Sequence, residues 1–129
     1  MSLAWIVHEV QGASWRRRNK RTVRAEMQSL DGNEIAVLRE FLLQGQNTLQ
    51  MPIDDPVVAG LLSRGILEQV GQLGHQSRIG IMMSVTISST VRDMVTPRFV
   101  GWSEGGPTRE QLKEDLENRP DFFRTHGSI

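Results

Sequence analysis

The sequence predicts an α+β fold that is mostly helical, with one β-hairpin, a basic helix ahead of the core and a helical tail behind it. Apolar residues recur at helical spacing between residues 14 and 64 and alternate around residues 78–83. Capping patterns mark helix starts at Asp31, at Asp54-Asp55 and at Thr108. At 129 residues, with 38% hydrophobic and 23% charged residues, the chain can bury a core of ordinary size. Three zones are expected: an apolar segment and basic helix over 1–29, a core over 30–97, and a linker, short acidic helix and flexible terminus over 98–129.

Residues Ser14–Leu30 hold helix formers without Pro or Gly, and Val23, Met27 and Leu30 form a narrow apolar stripe. The next helix spans Asn33–Gln44. Asp31 caps it, Glu34 three residues on completes a capping box, Leu30 and Ile35 sit at staple positions, and Gly45 stops it. Ile35, Leu38, Phe41 and Leu42 are its core face. Thr48–Met51 is a short extended piece, followed by Pro52, which keeps the approach extended. Asp54-Asp55-Pro56 opens a helix that buries Val57, Val58, Leu61 and Leu62 and ends near Arg64-Gly65.

The period then changes. Ile66, Leu67 and Val70 lead into a polar, glycine-containing loop over Gly71–Ser77, and Ile79, Ile81 and Met83 alternate beyond it, which reads as a hairpin. Ile87, Val91, Met94 and Val95 restore helical spacing over Thr86–Thr96, with Pro97 as terminator. After a Ser103–Pro107 linker, Thr108 and Gln111 make a second capping box for a helix ending at Glu117 or Asn118. With only Leu112 and Leu116 as apolar residues, that helix could not stay folded alone. Arg119–Ile129 is expected to be flexible unless Phe122 and Phe123 dock.

Helix, helix, short strand, helix, hairpin, helix is the order of a winged-helix-like domain, in which the helix before the wing often reads DNA. Here that helix starts with two carboxylates, and its one cation, Arg64, lies at the far end. A phosphate approaching its start would meet negative charge, so specific DNA reading by it is disfavoured.

The chain has zero net charge, yet Trp15–Arg24 carries Arg16, Arg17, Arg18, Lys20, Arg21 and Arg24 with no acid among them. Such a block suits phosphates, of an anionic membrane surface or of nucleic acid, with Arg64 and Arg78 as secondary contacts. The bland alternative is a solvated helix face balanced by Glu110–Glu117. The apolar piece Leu3–Val7 is too short to span a bilayer. It reads as the end of a longer apolar element or as a segment packed on the domain.

Enzymatic chemistry has the least support. The chain has no cysteine, which excludes disulfides, thiolate zinc sites and cysteine nucleophiles. His8, His75 and His126 are isolated, so no metal site is expected. Ser88-Ser89-Thr90 lacks a neighbouring base and suits capping. Asp54-Asp55 and Glu114-Asp115-Glu117 suit capping and solubility better than cation binding. Gly71-x-x-Gly74 lacks the Lys and helix start of a phosphate loop. No cofactor is expected.

Met27–Val95 resembles the cytoplasmic portion of the superinfection exclusion protein B family of prophage-encoded proteins. The matching stretches are Arg16–Arg24, Glu34-Ile35-Ala36-Val37-Leu38-Arg39-Glu40-Phe41, Thr48-Leu49, and Asp55-Pro56-Val57-Val58-Ala59-Gly60-Leu61-Leu62-Ser63-Arg64-Gly65-Ile66-Leu67. The resemblance implies a basic stretch following membrane-spanning helices and a small cytoplasmic module that acts by contact, without catalysis, at the inner membrane face. The tail from Phe99 onward lies outside it. Three functions follow: a membrane-face or protein-interaction module; a nucleic-acid-binding regulator using the same basic helix; or an oligomerisation protein burying Trp5, Trp15 and Phe99–Trp102 against a second chain.

Overall fold

The computed structural model describes residues 20–78 and 80–127, with residues 72, 73 and 125–127 as backbone only. Arg16, Arg17, Arg18, the apolar N-terminal segment, Trp5 and Trp15 lie outside the described residues.

Residues 20–26 are helical (α1) and pass into a 3-10 turn at Met27–Ser29. Helix α2, Gly32–Gln44, begins as its capping pattern requires: Glu34 N donates to Asp31 Oδ1 at 2.8 Å, and Asp31 N donates to Glu34 Oε1 at 2.9 Å. Gly45 closes it at φ 62°, a left-handed conformation that costs glycine nothing. Strand β1 is Thr48–Pro52 and helix α3 is Pro56–Ser63, capped by the Asp55 carboxylate, which accepts from Val57 N and Val58 N. Strands β2, Leu67–Ser77, and β3, Gly80–Ile87, complete an antiparallel sheet of order β1-β3-β2. Helices α4, Arg109–Glu117, and α5, Asp121–Gly127, follow.

The fold is therefore α+β, with β3 at the centre of the sheet. Met83, Val85 and Ile87 of β3 alternate onto the core face beside Leu49 and Met51 of β1, and α2 and α3 cover them with Val37, Leu38, Phe41, Val58 and Leu61. Val23 and Met27 bring α1 into the same core.

Two expectations are corrected. The stretch Gly71–Ser77 is not a loop but part of β2. The glycine-rich composition is absorbed by a large bulge, in which Val70–Leu73 lie opposite Ser84 between the pairs Gln69↔Val85 and Gly74↔Met83. At Gly74 an added Cβ would collide with Met83 Sδ and stand 2.6 Å from Met82 O, so only glycine permits the strands this approach. The second correction is the expected helix over Thr86–Thr96. β3 runs on through Thr86, which is paired on both sides, with Thr48 and with Glu68. A central strand satisfies backbone groups toward two neighbours, and that outweighs a weak helical period. Val91 and Val95 still reach the core, through a 3-10 turn at Arg92–Met94.

At the C-terminal arm the exception to the expected flexibility applies: Phe122 docks, buried in the core cluster, with Phe123 packed against it and the chain helical as α5. Thr108 and Gln111 form the anticipated capping box of α4. Helix α4 itself buries no residue. Charges hold it instead. Trp102 Nε1 donates to Asp115 Oδ2 at 2.6 Å, Arg39 Nη1 lies 3.4 Å from Asp115 Oδ1, and Arg119 grips Glu40 through Nε at 3.0 Å and Nη2 at 2.7 Å. The Glu40 side chain is 0% exposed. Gln44 Nε2 donates to the same carboxylate at 2.9 Å, so this buried charge is both paired and hydrogen-bonded.

Replacing Gly74 with Ala is expected to cost about 1–3 kcal/mol, the usual range for overpacking. Urea unfolding should show a lower midpoint with an unchanged slope. A midpoint equal to wild type would show that the hairpin yields freely at this position.

Candidate functional site

The candidate surface is the described part of the basic helix. Val23 and Met27 turn one side of α1 into the core, and Lys20 and Arg21 are exposed. Arg24 is only half free. Its Nη1 donates to Thr90 O at 2.9 Å and to Asp93 Oδ1 at 3.0 Å, and its Nη2 donates to Asp93 Oδ2 at 3.3 Å. On the other flank Glu26 Oε1 lies 3.4 Å from Arg64 Nε, and Arg64 Nη1 pairs with Glu34 Oε2. Helix α1 is thus fastened by two apolar side chains and an ion pair on each flank.

These pairings redistribute the expected contacts. Arg24 shares its charge with Asp93, not with the acidic helix Glu110–Glu117. Arg64, expected as a secondary phosphate contact, is enclosed by Glu26 and Glu34, so its charge is balanced within the molecule. Helix α3 then has no free cation to offer a nucleic acid, and its first turn is occupied by the Asp55 cap. Arg78 is exposed at the hairpin turn, far along the chain from α1, with exposed His75 on β2. Arg92, which sequence reasoning passed over, is exposed beside Asp93 and donates through Nη2 to Ile87 O at 2.9 Å. The described cations that act on the Asp93 carboxylate are Arg24, through its hydrogen bonds, and Lys20, through its charge.

The hydrogen bond from Arg24 holds the Asp93 carboxyl below its ordinary value of 3.8, against partial desolvation; the Arg24 charge, Asp93's own backbone amide and the Lys20 charge lower it further. The same hydrogen bond raises the Arg24 guanidinium.

Among the described residues no group of three His, Asp or Glu side chains could hold a metal ion, and no helix is long and apolar enough to cross a membrane. Ser88 is buried, but it accepts from Thr90 N at 3.2 Å and lies 3.3 Å from Glu68 Oε1, a turn-forming role in place of the helix cap expected of it. A shallow recess of about 240 Å³ lies between Phe41, Leu42, Asn47, Ile87, Arg92 and Val95, with no cluster of convergent catalytic groups.

A small α+β module with a basic helix packed on its core is the class of protein these features define. The family model described as super-infection exclusion protein B matches residues 1–98. The chain belongs to that family, which associates it with superinfection exclusion by phages. The match extends the resemblance read from residues 27–95 in both directions and ends just before Phe99. No curated protein and no solved structure matches the chain.

Because the folded Asp93 value is depressed, the tether to Arg24 contributes stability above pH 3.8 and loses it as pH falls through the lower folded value. Carboxyl NMR should find Asp93 titrating below 3.8, and Arg24→Ala should return it to the ordinary range. An unshifted Asp93 in the wild-type chain would show that the pair does not persist in solution.

Proposed function

We propose that the chain is a non-enzymatic, winged-helix-like interaction module of superinfection exclusion that acts at the inner face of the membrane. Its basic helix is the electrostatic contact. The observation that carries this reading is the anchorage of α1: Val23 and Met27 pack into the core, Glu26 and Arg24 pair with Arg64 and Asp93 on the two flanks, and Lys20 and Arg21 stay exposed. A helix held this way presents its outward charges without rearrangement. Arg16, Arg17 and Arg18 precede it in the same basic run and belong to the proposed contact by sequence. Each cation near an anionic leaflet adds about 1 kcal/mol, so the run serves as an accessory anchor.

Nucleic acid remains the competing phosphate source for this helix. The enclosure of Arg64 by Glu26 and Glu34, together with the acidic start of α3, favours the membrane, because a winged-helix grip on DNA calls on that helix too.

Co-sedimentation with vesicles of 30% phosphatidylserine at low salt should exceed that with neutral phosphatidylcholine. Replacing Lys20 and Arg21 together by Ala should weaken partitioning by about 2 kcal/mol, roughly 30-fold. Equal binding to both vesicle types would end the proposal. A salt-steep gel shift with DNA, abolished by the same substitutions, would transfer the helix to nucleic acid.

A further inference from the structure

The C-terminal arm is fastened to a part of the molecule that the family match includes, yet the arm itself begins after that match ends at residue 98. Helix α2 carries Arg39 and Glu40 as neighbours in the chain. Both are buried, and their counter-charges come from the arm: Asp115 for Arg39, and Arg119 for Glu40. Arg39 Nη2 also donates to Asn118 O at 3.4 Å, and Arg39 Nε is the buried side-chain nitrogen left without a hydrogen-bond partner among the described residues. Take the arm away and α2 shows a side-by-side cation and anion, and the core cluster is left open where Phe122 was. That is the make-up of a recognition surface, with a charge pair for register and a recess for an aromatic anchor.

The arm is attached in a way that allows release. Helix α4 buries nothing, and Leu112 and Leu116 remain 39% and 47% exposed. The connection runs through Ser103–Pro107, where Gly105 and Gly106 adopt φ of 87° and 112°, with Gly101 at 89° just ahead. Besides the charge pairs, the arm is held by buried Phe122 and Val100 and by Phe99 and Phe123, which pack against the core cluster.

We propose that the α2 surface around Arg39 and Glu40 is a partner-binding site that the chain's own arm occupies. The external partner is a segment carrying a carboxylate, an arginine four residues on and an aromatic residue three beyond that, with a break of helix between the first and the last as in α4 and α5. Asp115, Arg119 and Phe122 display this spacing in the arm itself. The site is distinct from the basic helix and stands or falls separately from the membrane reading.

The test uses the full chain, its Arg119→Glu variant, and a fluorescent peptide of residues 107–127 as probe. In the variant, amides of residues 109–117 should lose protection from hydrogen exchange while those of β2 and β3 keep theirs. The variant should bind the probe at least ten-fold more tightly than the wild-type chain, in which the tethered arm competes at high effective concentration. A probe carrying the same Arg119→Glu change should not bind, and adding Glu40→Arg to the variant chain should restore arm protection. Loss of sheet protection together with that of the arm would overturn the proposal, by showing the arm to be an inseparable part of the core. So would equal probe binding by both chains, or none by either. A stable wild-type dimer formed by exchange of arms would assign the surface to a second copy and overturn the external partner.

Discussion

Arg64 is the joint on which the helical half of this molecule depends. Glu34 uses one carboxylate oxygen to close the capping box of α2 and the other to hold Arg64, which follows the last residue of α3. The same guanidinium takes Glu26 from α1. Three helices therefore meet at one partly buried cation with two anionic partners. Such a node depends on every member. Removing the arginine would leave two carboxylates facing each other at the junction, and like charges at close range repel. This node holds one flank of α1, as Val23, Met27 and the Arg24–Asp93 pair hold the rest, and its outward cations are presented from that anchorage.

The sheet supplies the other fixed reference. β3 is hydrogen-bonded on both sides, and α2 and α3 pack over its apolar face. The hairpin leans on the β1–α3 connection: Ile53 N donates to Ile81 O at 3.0 Å, and an added Cβ at Gly80 would strike the Asp54 carboxylate. The second acid before α3, which at first sight could greet a cation or repel a phosphate, is packed against the hairpin. Its neighbour Asp55 is the helix cap. The start of α3 is closed by Asp55, and Asp54 lies exposed beside Gly80.

Local signals were legible where their cause was local. The capping boxes at Asp31/Glu34 and Thr108/Gln111, the Asp55-Pro56 start and the Gly45 stop each depend on atoms within one turn of helix, so the pattern of a few residues specifies them. The basic character of α1 and its Val23/Met27 stripe were readable for the same reason. The glycine-rich part of β2 misled because composition reports preference, while β3 supplies a partner strand that overrides it and a bulge removes the surplus residues. The period of Ile87, Val91 and Val95 misled because burial every fourth residue serves a turn packed on a sheet as well as a helix.

By itself the amino-acid order determined the α+β class, the helix boundaries set by caps, the family, and the lopsided charge of α1, since each arises from residues within a turn or two of one another. Tertiary structure alone decided which charges are available. Arg24 meets Asp93 across 69 positions, Glu34 meets Arg64 across 30, and Glu40 meets Arg119 across 79. Coulomb attraction acts on distance in space and not along the chain. Whether a cation faces outward or is neutralised at home was settled only when the sheet and helices had brought distant segments together.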